Sequence, residues 1–282
     1  MPTLPTIPCA GGVEMPCIVY GTAWKKDRTA AHVAEALRRG FRGIDTACQP
    51  RHYDEAGVGR GIADSADTGL RREDLYLQTK FSPPDAHDPA SIPYDPRAPI
   101  GEQVAQSFAR SLENLGTDHL DGLVLHSPLT TGAATLEVWH ALEAIAANGG
   151  ARLIGISNCY SLKLLDALYR AADLKPAVVQ NRFYRETGYD REIRAFCLEH
   201  GIVYQSFWTL TANPHVLGHA TMRQIAARRS RAPEQILFRY LTQQGVVPLT
   251  GTTSVAHMQD DLEIFEFTLD DGELDAITQL FD

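Results

Sequence analysis

The sequence contains few cysteines, and their arrangement predicts neither a disulfide framework nor a metal site. Only five cysteines occur among the 282 residues, at positions 9, 17, 48, 159 and 197. Their number is odd, their spacing is wide, and they form neither a C-x-x-C pair nor a cluster with histidine. We therefore expect free thiols in a reducing compartment and no bound metal.

Basic stripes and long hydrophobic runs are also missing. The formal net charge is −9, and the Lys and Arg residues are scattered, which argues against a nucleic-acid partner. No apolar run approaches the roughly 18 residues that a membrane span needs. Residues 1–12 contain neither the basic nor the apolar part of a signal peptide. We expect a soluble cytoplasmic protein without a membrane partner, and no long apolar stretch calls for a second subunit.

Short apolar strands alternate with longer amphipathic stretches along the whole chain. This pattern predicts a (β/α)₈ barrel that forms a single domain over residues 1–282. A doubly wound open sheet is the alternative, but no G-x-G-x-x-G motif follows the first strand. Residues 5–17 are typical of a β-hairpin around Gly11 and Gly12, which we expect to cap the bottom of the barrel. The eight predicted strands are 17–23, 41–47, 75–80, 120–127, 152–158, 177–183, 202–207 and 246–250.

One loop is unusually rich in proline. Residues 81–100, the proline-rich loop, contain six prolines, which restrict the backbone and predict a stiff segment. The loop follows the third predicted strand, so in a barrel it lies on the face where active sites form. Two interpretations remain open, a rigid connector and one wall of a substrate pocket.

Polar side chains gather where the predicted strands end. Asp45, His52 and Tyr53 follow the second strand, Lys80 ends the third, and His126 ends the fourth. Each residue alone has an ordinary structural explanation, such as a turn former or a solvated charge. In a barrel, however, all of these strand ends meet at one mouth. Further polar and aromatic residues follow the later strands, namely Ser157, Asn158, Gln180, Asn181, Phe207 and Trp208.

A phenol, an ammonium, a carboxylate and an imidazole at one site favour acid–base chemistry. A free phenol has a pKa of about 10 and is a poor acid at neutral pH. We expect the ammonium of Lys80 to lower the pKa of Tyr53, and Asp45 to hold that ammonium in place. His126 then orients a carbonyl substrate or shares in proton delivery.

Six segments in this order resemble the aldo-keto reductase family, over essentially the whole chain. GIDTA followed by YDEAGVG is similar to the family signature G-x-D-T-A-x-x-Y-x-N-E-x-x-V-G. LYLQTK and DGLVLHSP match the segments with the family lysine and histidine. IGISN, VVQNRFY and PLTGTTS are similar to three cofactor-binding segments. The resemblance implies a monomeric carbonyl reductase that uses a nicotinamide cofactor and a small-molecule aldehyde or ketone.

The resemblance also implies a role for each residue that matches a family position. Asp45, Tyr53, Lys80 and His126 match the catalytic tetrad. Trp24 and His52 are expected to contact the substrate, which with the other aromatics favours medium-sized or aromatic carbonyls. The cofactor residues that the resemblance implies are Ser157, Asn158 and Gln180 for the carboxamide, Phe207 for ring stacking, Trp208 and Leu210 beside them, and Thr252, Ser254, His257 and Asp261 for the adenosine end.

The spacing around the tyrosine departs from the family pattern. Tyr53 lies eight positions after Asp45, so this loop is longer than the family's. Counting back from Asp54 and Glu55 instead places His52 in the tyrosine position. We favour Tyr53 because a phenol suits a partnership with Lys80.

The adenosine segment departs as well. Family members that prefer NADPH often carry a Lys and an Arg where this chain has Gly251 and His257. Asp260 and Asp261 lie nearby and would repel a 2′-phosphate. NADP(H) remains the expected cofactor, with NAD(H) as the alternative.

Two other functions remain open from the sequence. The remodelled loop at 48–52 keeps a non-redox isomerase, dehydratase or cyclase on the same barrel possible. The second open function is a dinucleotide-binding regulatory subunit. The predicted acid–base residues argue against it, because a protein that only senses a ligand needs no general acid. The last predicted helix ends with the chain, and the resemblance then implies a more open site than in relatives with a C-terminal loop.

Overall fold

Eight parallel strands close into a barrel in the computed structural model, which describes residues 4–281. Every strand pairs with its neighbours in chain order, and the last pairs with the first through Leu249 and Val19. The predicted (β/α)₈ barrel is therefore confirmed, and the open sheet is wrong because the ring closes. A hairpin of β1 (Thr6–Pro8) and β2 (Glu14–Pro16) precedes the barrel. The barrel strands are β3 (Val19–Gly21), β4 (Gly43–Asp45), β5 (Tyr76–Phe81), β6 (Leu120–Leu125), β7 (Ala151–Ser157), β8 (Val178–Arg182), β9 (Val203–Phe207) and β10 (Val247–Thr250).

Helices surround the barrel and bury its outer face. Every residue of β5 and β6 is buried, as expected for strands that are covered on both faces. Gly116 has φ 65° and ends α3 in a left-handed turn that only glycine adopts at no cost. The helices are α1 (Thr29–Arg39), α2 (Glu55–Ala63), α3 (Ile100–Leu115), α4 (Gly132–Ala147), α5 (Leu162–Ala171), α6 (Arg191–Glu199), α7 (Pro214–Leu217), α8 (Ala220–Arg229), α9 (Pro233–Gln243), α10 (Val255–Leu262) and α11 (Asp271–Thr278).

The N-terminal hairpin covers the bottom of the barrel, as predicted. Its turn contains Gly11 and Gly12, both with positive φ. Val13 and Met15 of the hairpin pack against the first residues of several barrel strands, including Val19, Val178 and Val247. Because this end is sealed by apolar side chains, the opposite end, where the strands finish, is the one open to ligands.

A polar layer lies above this apolar plug, inside the barrel. Gln78 and Gln180 each donate a hydrogen bond to Gln205, at 2.9 and 2.8 Å. Both glutamines also donate to Asp45 Oδ1, at 2.7 and 2.9 Å. Buried polar groups cost little when they are hydrogen-bonded, and this layer fixes the Asp45 carboxylate from below.

The proline-rich loop is folded back on its own start at Ser82 and is tied to the loop after β4, where Gln49 donates from Nε2 to the Ala86 carbonyl oxygen at 2.9 Å. Tyr94 donates from its hydroxyl to the carbonyl oxygen of Ser82, at 2.7 Å, and His87 Nε2 lies 3.1 Å from the same oxygen. Short 3₁₀ turns occur at Pro84–Ala86 and Pro89–Ser91. Within residues 4–281, no helix combines the length and the apolar character that crossing a membrane requires.

Candidate active site

A cavity of about 830 Å³ opens at the carboxyl ends of the barrel strands. It extends from the loop after β4 to the first turns of α9 and α10. Fourteen of the sixteen residues predicted for the site line it; Lys80 lies beneath its floor and Ser254 lies outside its wall. The fourteen are Trp24, Asp45, His52, Tyr53, His126, Ser157, Asn158, Gln180, Phe207, Trp208, Leu210, Thr252, His257 and Asp261.

Asp45 and Lys80 form a buried ion pair at the floor of the cavity. Lys80 Nζ donates to both carboxylate oxygens, at 2.7 and 2.6 Å, and to the carbonyl oxygen of Thr46 at 2.9 Å. Burial lowers the pKa of Lys80, and the Asp45 carboxylate opposes this effect. The carboxylate is fixed on its other side by Gln78 and Gln180, so the ammonium is held in one position.

Tyr53 lies directly above this ion pair. The Lys80 ammonium is 5.4 Å from the centre of the Tyr53 ring, and the ring of His126 is 6.0 Å away. Within residues 4–281 the Tyr53 hydroxyl makes no hydrogen bond, so it is available to a ligand. The expectation that the pKa of Tyr53 is lowered is wrong. Burial raises that pKa, and the Asp45 charge raises it further, so the phenol is protonated at neutral pH.

His126 is a neutral hydrogen-bonding group at the same position. Burial lowers the pKa of His126 well below its usual range, and the Lys80 charge adds to this effect. Its Nδ1 lies 2.6 Å from the Ser82 hydroxyl oxygen. The Ser82 hydroxyl has no other acceptor among the described residues, so its proton points to Nδ1. His126 then carries its own proton on Nε2, as a donor towards the cavity.

His52 occupies a different part of the cavity from Tyr53. Its ring packs on the indole of Trp24, with ring centres 4.1 Å apart, and Trp24 donates from its backbone to the His52 carbonyl oxygen at 2.7 Å. Trp24 is 60% exposed, so this pair stands at the mouth. Of the two residues that compete for the acid position in the sequence, the structure brings Tyr53, and not His52, beside Lys80.

Polar groups follow β7 and β8 at the centre of the cavity. Ser157 donates from its hydroxyl to the Gln180 carbonyl oxygen at 2.6 Å, and Asn158 donates from Nδ2 to the His126 carbonyl oxygen at 2.8 Å. The Gln180 amide nitrogen is engaged below by Asp45 and Gln205, whereas its side-chain oxygen accepts no hydrogen bond from residues 4–281. This oxygen is therefore free to accept from an amide of a ligand.

The far end of the cavity is built by the segment after β10. Ser254 accepts from the His257 backbone at 3.3 Å and so caps α10, which explains why it lies outside the wall. Asp261 accepts from the Thr250 hydroxyl at 2.6 Å, and burial raises the pKa of Asp261 to about 6. Glu234 and Asp260 line the same end.

A dinucleotide cofactor fits the residues that line the cavity. Phe207 and Gln180 line the same cavity, and the backbone N–H groups of Thr209, Leu210 and Thr211 make no hydrogen bonds within the described chain. Free backbone donors in a turn suit a phosphate. No set of three or more His, Cys, Asp or Glu side chains in residues 4–281 is arranged to hold a metal ion.

Comparison with known proteins agrees with this geometry. The family model for the aldo/keto reductase family matches residues 18–282. The chain belongs to the aldo/keto reductase family. A crystal structure of an aldo/keto reductase from Brucella melitensis superposes with a TM-score of 0.84 at 28% identity, covering 99% of this chain and all of that one.

Two curated relatives are named as reductases, and a further solved structure is an aldo-keto reductase. Glyoxal reductase of Bacillus subtilis is 30% identical and covers 98% of this chain and 92% of its own length. A probable NAD(P)H-dependent D-xylose reductase of Emericella nidulans is 29% identical over 98% of this chain and 93% of its own length. An aldo-keto reductase of Bombyx mori, solved in complex with NADP, has a TM-score of 0.82 at 25% identity, with coverage of 99% and 93%.

Membership in the aldo/keto reductase family decides among the three activities that the sequence left open. The protein is an oxidoreductase that reduces an aldehyde or ketone with NAD(P)H. The two alternatives, a non-redox enzyme and a regulatory subunit, are therefore rejected. Its cofactor, NAD(P)H, supplies the hydride.

Four residues at the aldo/keto reductase site were missed from the sequence. Arg182 and Ser82 each lie two positions after a predicted site residue, Gln180 and Lys80, and the alternation of a strand could have pointed to them. Lys25 follows Trp24 and donates to the Gly251 carbonyl oxygen at 2.8 Å; burial lowers its pKa to about 8. The fourth, Glu234, comes from a helix that no motif marks.

Proposed function

We propose that Tyr53 is the general acid of this reductase and protonates the carbonyl oxygen of the substrate. The observation that carries the assignment is the position of the Tyr53 ring, whose centre is 5.4 Å from the Lys80 ammonium of the buried Asp45–Lys80 pair. His126 also lies near Lys80, but its imidazole is neutral and a weak acid, whereas the phenol of Tyr53 becomes an anion that the ammonium stabilises. A raised pKa keeps the phenol protonated before the reaction, as an acid requires.

Lys80 acts on the charge that appears when Tyr53 gives up its proton. A phenolate is stabilised by a nearby ammonium, so Lys80 favours the deprotonated product of the transfer. Asp45 holds the ammonium through two short hydrogen bonds and prevents it from turning towards the substrate. Asp45 lines the floor of the cavity and Lys80 lies beneath it, so the ammonium acts through Tyr53.

His126 orients the carbonyl oxygen as a neutral donor. Its Nε2 proton and the Tyr53 hydroxyl both face the cavity from rings 6.0 Å apart, so one oxygen between them can accept from both. A charged imidazole at this position would compete with Tyr53 as the acid, and burial beside Lys80 prevents that charge.

The remaining predicted residues are assigned to cofactor and substrate by position. Ser157, Asn158 and Gln180 hold the nicotinamide carboxamide, and Phe207 supports the ring. Trp24 and His52 form the substrate wall at the mouth, where their aromatic faces suit medium-sized or aromatic carbonyls. The other proposed cofactor residues are Trp208, Leu210, Thr252, Ser254, His257 and Asp261.

We further propose that residues 1–282 act as a single barrel domain, as a monomer in the cytoplasm. The continuous ring of strands supports the first point. All five cysteines are free thiols, which is compatible with a reducing compartment.

The assignment of the acid is tested by cofactor oxidation. We would mix the protein with NADPH, and separately with NADH, and an activated aromatic aldehyde, and follow the loss of reduced nicotinamide. Tyr53→Phe should lower kcat by about 10²–10⁴-fold, the range for loss of a general acid. His52→Ala is the matched control and should change KM more than kcat. If His52→Ala is the inactive variant and Tyr53→Phe is active, the assignment is wrong.

A further inference from the structure

Arg182 is a cationic side chain in the cavity that the roles above do not use. It ends β8, two residues after Gln180, and side chains two apart on a strand share a face. Arg182 therefore lies above Gln180 at the barrel mouth, where it lines the cavity. Its guanidinium stacks over the ring of Trp208 at 4.1 Å, with the Tyr184 ring at 5.2 Å.

The guanidinium of Arg182 has no anionic partner in the described chain. No carboxylate of residues 4–281 forms an ion pair or hydrogen bond with it, and its Nε is buried without any hydrogen-bond partner. A buried donor left unpaired is unfavourable, and the position of this one at the cavity wall lets a ligand supply the acceptor. The planar fork of donors in arginine matches the oxygens of a phosphate or carboxylate.

Arg182 is also the one Lys or Arg among the residues that line the cavity. Four carboxylates line it as well, and of these Asp45 is neutralised by Lys80. Any NAD(P)H carries a pyrophosphate, so a strongly anionic group must enter a cavity with a single permanent cation. Electrostatics therefore favours placing that group at Arg182.

The position of Arg182 in the ring separates it from the reacting carbonyl. β4 and β8 lie four strands apart in a ring of eight, so the loop that carries Tyr53 is across the mouth from Arg182. On its own side, Arg182 adjoins Trp208, and the free N–H groups of Thr209, Leu210 and Thr211 follow at once along the chain. A pyrophosphate there meets a guanidinium and backbone donors together.

We propose that Arg182, held flat on Trp208, binds the pyrophosphate of the bound NAD(P)H. This proposal rests on the proposed function, since it assigns a further binding residue to the same cofactor. It concerns binding and not the proton transfer, so it can be tested without turnover.

The test measures dissociation constants by calorimetry with three probes: NADH, ADP and adenosine. ADP keeps the pyrophosphate and lacks the nicotinamide, whereas adenosine lacks both. Arg182→Met should raise the dissociation constants of NADH and ADP by about tenfold to a hundredfold, the loss expected for a charge-assisted hydrogen-bonding pair. Its affinity for adenosine should equal that of the parent protein. Arg185→Met is the control, because Arg185 is exposed and outside the cavity wall.

A second variant covers the case in which Arg182→Met does not fold. Arg182→Lys keeps the charge but loses the fork and the stacking, and it should bind ADP with intermediate affinity.

Where Arg182→Met folds, the salt dependence of ADP binding should be steeper in the parent than in this variant, since the variant lacks one charge pair with the ligand.

Two results would overturn the proposal. In the first, Arg182→Met binds NADH and ADP as tightly as the parent. In the second, it binds both normally but loses kcat/KM for 4-carboxybenzaldehyde and not for 4-nitrobenzaldehyde, which would make a substrate carboxylate the partner. The Tyr53→Phe protein, tested in parallel, separates the two hypotheses: if it turns over normally while Arg182→Met loses ADP binding, only the acid assignment fails.

Discussion

The ammonium of Lys80 lies 5.4 Å from the centre of the Tyr53 ring and within 2.7 Å of both Asp45 oxygens. Lys80→Met removes the charge that stabilises the Tyr53 phenolate. We expect kcat to fall by about 10²–10⁴-fold, as for loss of the acid itself. Calorimetric titration with NADH should give a dissociation constant within about threefold of the parent, since Lys80 does not line the cavity.

Loss of activity in Lys80→Met must be separated from loss of stability. The single variant leaves the Asp45 carboxylate buried without its cation, and breaking such a pair costs about 3–5 kcal/mol. The double variant Asp45→Asn/Lys80→Met removes both charges and should recover most of that free energy of unfolding, measured with urea. If the double variant also recovers kcat, the ammonium has no role in the chemistry.

Much of the barrel could be predicted from the sequence because its strands have a clear signature. Residues 120–127 contain an apolar run that ends on a polar residue, and β6 occupies 120–125. The predicted strands near Val19 and Ile44 are each longer than the three residues observed. Beyond these short strands single backbone hydrogen bonds continue, since Thr22 N–H donates to the Asp45 carbonyl oxygen at 3.0 Å and Thr46 N–H to that of Gln78 at 2.9 Å, and composition does not show where the regular ladder ends.

Site residues that end a strand could be predicted from the sequence. Properties that depend on surrounding side chains, such as a pKa or the lack of an ion-pair partner, could not. The sequence pattern indicates Tyr53 as the neighbour of Lys80, but not the direction of its pKa shift, because burial and the Asp45 charge both raise that pKa. Burial depends on side chains from all eight loops, which a linear pattern does not reveal. Arg182 was overlooked for the same reason, since only the fold shows that no carboxylate reaches it.

Ser82 is expected to set the proton position on His126. Its hydroxyl contacts Nδ1 at 2.6 Å, so Ser82→Ala releases the ring to adopt the other tautomer, with its proton on Nδ1. We expect kcat to fall by about tenfold with little change in KM for the cofactor. Ser82→Thr keeps the hydroxyl and should restore activity.

A structural role alone would give a different pattern for Ser82. NMR of ¹⁵N-labelled histidine should show the Nε2-protonated form of His126 in the parent and in Ser82→Thr, and a mixture in Ser82→Ala. If the tautomer is the same in all three proteins, the contact has no orienting role.

The adenosine end of the cavity predicts how the protein responds to a 2′-phosphate. Glu234, Asp260 and Asp261 line this end; of the described lining residues there, only His257 can become cationic, and Lys25 lies behind Gly251, bound to its carbonyl oxygen. We therefore expect NADH to bind at least as tightly as NADPH at pH 8, by fluorescence titration. In doubly wound dinucleotide-binding folds an acidic residue binds the free ribose hydroxyl and an arginine accommodates a 2′-phosphate, and the same charge argument applies to this end of the cavity.

The converse substitution tests the same charge argument. His257→Arg adds a permanent cation at an exposed position in the first turn of α10. It should strengthen NADPH binding by about tenfold and leave NADH unchanged. A parent protein that already binds NADPH tenfold more tightly than NADH would contradict the argument, and a backbone phosphate site would then be responsible.

Asp261 makes the stability of the protein depend on pH in a direction opposite to that of a salt-bridged carboxylate. Burial raises the pKa of Asp261 from 3.8 to about 6 in the folded state. Between these values the folded protein keeps a proton that the unfolded chain has released, so the free energy of unfolding falls as pH rises through this range. A shift of about two units corresponds to about 3 kcal/mol, present below pH 4 and lost above pH 6.

Asp261→Asn should abolish this dependence, because the amide carries no charge and its oxygen still accepts from the Thr250 hydroxyl. In urea unfolding, the variant should match the parent near pH 4 and exceed it by up to about 3 kcal/mol at pH 7. Asp260→Asn, one residue away and partly exposed, is the control: its charge is a lesser cause of the raised pKa of Asp261, so most of the pH dependence of the parent should remain. A constant difference between Asp261→Asn and the parent from pH 4 to pH 7 would show that the carboxyl does not titrate in this range. In that case the charge of Asp261 would be constant over this pH range, and its protonation would have no part in cofactor binding at the adenosine end that it lines.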